Sequence, residues 1–340
     1  MSYIEIKGVT KFFEDGRQIL KGINMSIEKG EFITLLGSSG CGKTTLLRSI
    51  AGLTGIDSGS IIIDGRDLSG VSPGKRNLAM IFQQYSLFPA MSVYDNIAYG
   101  LRLKKMPRPE IDQKVKDALK LIEMEGFEKS YPAQLSGGEQ QRVSLARGLV
   151  MGPKVLLMDE PFSAIDAKLR KALQIRIRNI HTALGITTIF VTHDQEEAMR
   201  MSDRIYLMHD GRIEQSGTPM ELYLEPRTAY AAGFIGHYNM IDGASWANAG
   251  FAEDSTGCYA FRPENIALSS RPFESGGGCI LADGSVEQII YQGNVVRYTI
   301  KTRSGLKLDA DRLYEGETPF SRGDRVFLSI EKQDISHYLK

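Results

Sequence analysis

Of 340 residues, 42% are hydrophobic and 24% charged, an ordinary globular composition that excludes disorder and fibrous repeats, and the length favours two domains over one. Lysine plus arginine and aspartate plus glutamate number 41 each, so a formal net charge of zero gives no general pull toward nucleic acid, leaving only a local basic patch open. The longest apolar runs, such as 155–158, are far shorter than the roughly 18 residues of a membrane-spanning helix.

The amino-terminal segment alternates like a strand and has no signal-peptide sections. Cys41, Cys258 and Cys279 show neither metal-ligand spacing nor an even-numbered framework, so a reducing, cytoplasmic compartment is expected. From the start to residue 235, Val/Ile/Leu-rich runs alternate with helical patterns, which predicts an α/β domain with a mostly parallel sheet covered by helices. Strands are expected at 32–36, 80–82, 155–158, 187–191 and 204–208, with ligands at their carboxyl ends.

The first of these strands runs into Gly37-Ser38-Ser39-Gly40-Cys41-Gly42-Lys43-Thr44, and a helical run follows from Thr45 to residue 51. Those flanks make it a phosphate loop. Its glycines let backbone N–H groups curl around a β-phosphate, the helix start adds positive potential, Lys43 reaches the β and γ phosphates, and Thr44 is a ligand for Mg²⁺. Cys41 lies just before that helix, so a favoured thiolate and reaction with alkylating agents are expected unless nucleotide covers it. Strand signals then vanish between 92 and 136, and apolar residues of 111–123 recur at helical spacing, which predicts an inserted helical subdomain at about 88–153.

Within that insertion, Leu135-Ser136-Gly137-Gly138-Glu139-Gln140-Gln141-Arg142 opens a helix. On its own this would most often be a serine cap with a glycine turn. Beside a phosphate loop, Ser136, Gly137, Gly138 and Gln140 form a second anion grip, most economically serving the γ-phosphate of ATP held by another copy in a two-fold dimer. The strand at 155–158 delivers Asp159 and Glu160 to the same sheet edge as the phosphate loop. Asp159 suits direct or outer coordination of Mg²⁺, and Glu160 suits a base that accepts a proton from, or orients, the attacking water. After residue 236 helical patterns stop, and Asp283-Gly284, Gly293-Asn294, Ser304-Gly305 and Gly323-Asp324 read as turns of a small β domain at 236–340. Ser275-Gly276-Gly277-Gly278 reads as a flexible loop inside it.

The phosphate loop, the Ser-Gly-Gly signature and the Asp-Glu strand, in this order, resemble the ATP-binding-cassette family over roughly residues 2–235. The resemblance implies that Gln83 senses Mg²⁺ and water, that His193 in Thr192-His193-Asp194 is the switch histidine on the γ-phosphate, and that Asp166 belongs to the loop crossing the dimer interface. It also implies that Phe13, or less favourably Phe12, stacks on adenine, although a core role for Phe13 stays open. Ile165, where leucine is commoner, and Glu139, where glutamine is frequent, depart mildly from the pattern.

Among members of this family the chain is most similar to importer subunits, which append an oligonucleotide-fold-like β domain. Arg262-Pro263-Glu264-Asn265 resembles a segment of that domain, and Phe234-Ile235-Gly236 followed by Asn239 resembles its lead-in. Asp194-Gln195-Glu196-Glu197-Ala198 and Met201-Ser202-Asp203-Arg204 are most like polyamine importers, with ferric iron, phosphonate, sulfate and sugar subunits next. The resemblance implies an ATPase on the inner face of the membrane, bound to permease subunits and served indirectly by a solute-binding protein, with no nucleic acid partner. A soluble cassette ATPase acting on ribosomes or DNA is the alternative from another class, and an exporter motor a third. The β domain is a dimerisation module at least as readily as a ligand sensor.

Overall fold

The computed structural model describes residues 2–82, 87–163, 165, 167–274, 278–316 and 320–339 and divides into two compact units, Met1–Leu224 and Glu225–Lys340. The division falls before the last helical turn preceding residue 235 rather than after it, because Ala229–Phe234 groups with the second unit.

In chain order the first unit contains β1 (Ile4–Phe12), β2 (Gln18–Ile27), β3 (Phe32–Gly37), α1 (Lys43–Ala51), β4 (Ser58–Ile63), β5 (Arg66–Asp67) and β6 (Leu78–Ile81). There follow α2 (Val93–Leu103), α3 (Arg108–Leu121), α4 (Gly137–Leu149), β7 (Val155–Asp159), α5 (Ala167–Leu184), β8 (Thr187–Thr192), α6 (Gln195–Met201), β9 (Arg204–His209), β10 (Arg212–Gly217) and α7 (Pro219–Leu224). A six-stranded sheet runs β10-β9-β3-β8-β7-β6, parallel except at β10, and a four-stranded antiparallel sheet runs β2-β1-β4-β5. Strands β3, β7 and β8 are buried at every position, since both sheet faces are covered, which is why their sequences are continuously apolar or Thr-bearing instead of alternating.

Helices α2, α3 and α4 share a separate core that includes Val93, Ile97, Leu101, Val115, Leu119 and Val143. Ser92 caps α2 by accepting the Asp95 N–H at 3.1 Å. Asn96 is fully buried and ties the preceding loop to α2: its amide donates to Phe88 O, Met91 O and Ser92 O, and its oxygen accepts the Phe88 N–H at 2.9 Å.

The second unit holds α8 (Ala229–Phe234), β11 (Asn239–Asp242), α9 (Gly243–Asn248), β12 (Cys258–Phe261), β13 (Ile266–Ser269), β14 (Cys279–Gln292), β15 (Val295–Thr302), β16 (Lys307–Leu313), β17 (Arg325–Glu331) and β18 (Ser336–Tyr338). Two antiparallel sheets, β11-β12-β18 and β13-β17-β14-β15-β16, enclose a core around Trp246, Phe261, Tyr298 and Ile300. Two expectations need correction. Helix α9 exists although no periodicity announced it: it is too short to show one, and it is fixed by the Asp242 cap, which accepts the Ser245 N–H at 2.9 Å, and by Trp246 stacking on Tyr259. Asp283-Gly284 is not a turn but the middle of β14, where a Cβ on Gly284 would stand 2.4 Å from Lys301 O, so the glycine permits a close strand approach. The other three pairs do form turns, with Gly293, Gly305 and Gly323 at positive φ. Of the expected flexible loop, Ser275 to Gly277 lie outside the described residues.

Candidate functional site

Parallel β8 lies between β3 and β7, in register that pairs Leu36 with Thr192 and Asp159 with Val191. The segments leaving these three strands therefore meet at one sheet edge: Gly37–Thr44 after β3, Glu160 after β7 and His193 after β8.

The phosphate loop closes on Lys43, which is buried and donates to Gly37 O at 2.7 Å and Ser38 O at 2.8 Å. Its ammonium is thus held across the loop by the carbonyls, and Ser38 O also accepts the Cys41 N–H at 3.4 Å. Gly42, at φ 105, is the N-cap of α1 and supplies no side-chain cap, so the helix start is open to an anion. A Cβ on Gly37 would stand 2.3 Å from Met208 O. Ser39, Gly40, Gly42, Lys43, Thr44, Thr45 and Glu160, with Phe13, Arg17 and Ile19, line a cavity of about 280 Å³. Phe13 is exposed, not core, and the Arg17 guanidinium lies 5.8 Å from its ring centroid, so a flat π face is presented at the cavity mouth. Sequence reasoning missed Arg17; the signal was its place four residues after Phe13, across the tight turn at Gly16 that brings Phe13 N–H to Arg17 O.

Cys41 behaves differently from the expectation. It is 6% exposed, and burial pushes its thiol up despite the nearby Lys43 ammonium, because desolvation of a thiolate outweighs that attraction. Its side chain packs into the apolar core under the sheet, where burial disfavours the thiolate.

Thr44 donates its hydroxyl to Asp159 Oδ1 at 2.8 Å. Asp159 is buried, and loss of hydration holds its carboxyl above the usual range, with the Thr44 hydrogen bond opposing. A buried carboxylate beside a hydroxyl is a hard oxygen donor set that suits Mg²⁺, whose charge would offset the desolvation. Glu160 sits at φ 42, a strained backbone for glutamate, and is held there by its N–H on Val191 O at 3.0 Å and by the Ser163 N–H and hydroxyl on its carbonyl. His193 Nδ1 lies 3.3 Å from Glu160 Oε1. Water between these two groups and the phosphate loop would face a carboxylate and an imidazole together.

At the signature segment, Ser136 caps α4 in a box: its N–H and hydroxyl both donate to Glu139 Oε2 at 2.7 Å, and those bonds hold the Glu139 carboxyl below its usual range. Gln140 donates instead to Pro132 O and Leu135 O, so its amide shapes the loop rather than facing outward as a phosphate ligand. A Cβ on Gly138 would stand 2.4 Å from Leu169 Cδ2, so this glycine allows α4 to approach α5. Gln83 and Asp166 lie outside the described residues. A larger cavity of about 540 Å³ lies between α5 and the ends of α3 and α4, but hydrocarbon and Arg142, Arg176 and Glu123 line it, with no glycine-rich backbone to cradle phosphate.

The family profile described as "ABC transporter" matches residues 20–163, and that described as "TOBE domain" matches residues 259–336. Proteins named "Spermidine/putrescine import ATP-binding protein PotA" are similar along most of the chain: that of Oleidesulfovibrio alaskensis is 50% identical, covering 88% of this chain and 85% of its own length. That of Thermotoga maritima is 44% identical, covering 89% and 87%, and that of Vibrio vulnificus 40% identical, covering 98% and 93%. Among solved structures, cbiO1 of Clostridium perfringens, part of the transporter complex cbiONQ, superposes with a TM-score of 0.62 at 33% identity over 66% of this chain and 91% of its own. The dimeric ATP-binding cassette MJ0796, bound to ADP and Pi, superposes with a TM-score of 0.58 at 31% identity over 64% and 98%.

Proposed function

The chain belongs to the ATP-binding-cassette transporter family as an import ATP-binding subunit and ATPase, and from that premise we propose that it powers uptake of a polyamine, spermidine or putrescine. The observation that carries this reading is identity of 40–50% to polyamine import subunits over 88–98% of the chain, the C-terminal β unit included.

In the proposed reaction the loop amides and Lys43 take the charge of the β and γ phosphates, and Phe13 takes the adenine face. Thr44, Asp159 and Gln83 would hold Mg²⁺, which supplies positive charge to the phosphate oxygens. Glu160 accepts a proton from the attacking water, and His193 orients that water and the γ-phosphate. The open start of α1 and the Ser136-capped start of a second copy's α4 sandwich ATP, so binding closes a homodimer. Among the described residues no helix is long and apolar enough to cross a membrane, so transport requires permease subunits. Exposed Phe88, its ring centroid 4.7 Å from that of Tyr99 and tilted against it, and exposed Leu103 give the helical element an apolar surface for a permease on the inner membrane face.

Deleting the gene and measuring uptake of labelled spermidine and putrescine tests this. Uptake is expected to disappear and to return with the wild-type chain but not with Glu160→Gln. Unchanged polyamine uptake alongside loss of another solute's uptake would refute the substrate assignment.

A further inference from the structure

Glu160 and His193 meet at 3.3 Å although they leave different strands, and two side chains outside the nucleotide cavity brace both of their turns. Arg170, near the start of α5, donates from Nη2 to Ile165 O at 3.1 Å, in the segment that follows Glu160. The same guanidinium faces the other turn, with Nη1 3.6 Å from Asp194 Oδ2 and Nε 4.0 Å from Glu197 Oε1.

Glu197, on α6, is 5% exposed. It accepts the Thr192 hydroxyl at 2.7 Å and the Gln174 amide at 3.3 Å. Thr192 Oγ1 accepts the Asp194 N–H at 3.0 Å, and Asp194 in turn accepts the Glu197 N–H at 3.1 Å, so both residues flanking His193 are pinned. Gln174 is itself fixed by Arg200 at 3.2 Å. Filling the space between α5 and α6 does not require a carboxylate, since an apolar side chain would do so with less desolvation. What the carboxylate adds is direction: a charge-assisted acceptor for one turn, facing a guanidinium that holds the other.

We propose that Glu197 and Arg170 are positioning residues that hold the Glu160 and His193 turns in one register, so that disturbing either residue slows hydrolysis without weakening ATP binding. The inference rests on the ATPase reading above. It is physical coupling through a continuous chain of hydrogen bonds and ion pairs, ending on Ile165 O at one side and Thr192 at the other.

The full-length protein tests it by steady-state MgATP hydrolysis, with nucleotide affinity and melting temperature measured on each variant. Glu197→Ala is expected to lower kcat about tenfold with KM for ATP changed less than about twofold, and Glu197→Gln, which keeps an acceptor for Thr192, to recover most of the loss. The double variant Glu197→Ala with Arg170→Gln should be no slower than the worse single variant, as expected for two parts of one device. Wild-type kcat in folded Glu197→Ala, or losses that multiply in the double variant, would overturn the proposal. Should Glu197→Ala fail to fold, Arg170→Lys decides: it keeps the charge but cannot bridge Ile165 O and the carboxylates together, and an unaltered kcat would be equally fatal. Wild-type protein that binds but never hydrolyses ATP would refute the ATPase reading instead.

Discussion

Glu160 carries two burdens that its sequence context shows only in part. It must offer a carboxylate to water, and it must do so from a left-handed backbone that side-chain-bearing residues rarely adopt. Glu160→Gln keeps the shape and the strain but removes the base, so kcat is expected to fall by about 10²–10⁴ while ATP binding persists; single-turnover hydrolysis and nucleotide titration check the two halves separately. Asp159 gives a prediction of the opposite kind. Because burial raises its folded-state pKa above the unfolded value, its stabilising contribution is complete below the usual carboxylate pKa and is lost as pH rises through the folded value. Asp159→Asn does not titrate, so without nucleotide its melting temperature should gain on that of the wild type as pH rises above the usual carboxylate pKa, and the same variant should lose Mg²⁺-dependent hydrolysis. A pH series of thermal melts in EDTA measures it.

Among the elements, those at the site are ordered by buried polar residues as much as by the apolar pattern. Asn96 makes four hydrogen bonds between α2 and the 88–92 loop, and replacing it by alanine leaves Phe88 N–H and several carbonyls without that partner. A cost of about 1–3 kcal/mol follows for Asn96→Ala, read as a drop in the urea midpoint of helical signal. In the second unit Tyr298 shows the reverse. Its ring is fully buried in the sheet core, but its hydroxyl has no hydrogen-bond partner among the described residues. Tyr298→Phe should therefore be neutral or stabilising by up to about 1 kcal/mol, whereas Tyr298→Ala should cost about 3–5 kcal/mol. Trp246 is the only tryptophan in the chain and belongs to the same core, so its fluorescence reports this unfolding directly.

At the scale of the whole molecule, the proposed function needs more than one chain. One copy presents an open helix start at Gly42 and a capped one at Ser136, and the proposal that they share a nucleotide requires two copies. In size-exclusion chromatography with light scattering, Glu160→Gln with MgATP is expected to run at twice the 37.7 kDa chain mass and to return to the monomer with MgADP. Persistence as a monomer at saturating ATP would count against the sandwich.

Much of this was written locally. The phosphate loop, the Ser136 cap and the Asp159-Glu160 pair were legible because phosphate binding and helix capping use short runs of backbone with fixed residue types, and β3, β7 and β8 because strands buried on both faces are mostly apolar or Thr-bearing rather than alternating. Tertiary structure alone decided the rest. Whether the Cys41 thiolate is favoured depends on the burial that surrounding elements impose, and that burial pushes the thiol up. Gly284 lies in a strand because Lys301 passes close to it, 17 positions along the chain. Arg170, Gln174, Thr192 and Glu197 are unremarkable polar residues in sequence, and they became one brace only when α5, β8 and α6 came together. A motif is recorded in neighbouring residues, but burial and long-range hydrogen bonds are properties of packing, and packing exists only once the chain has folded.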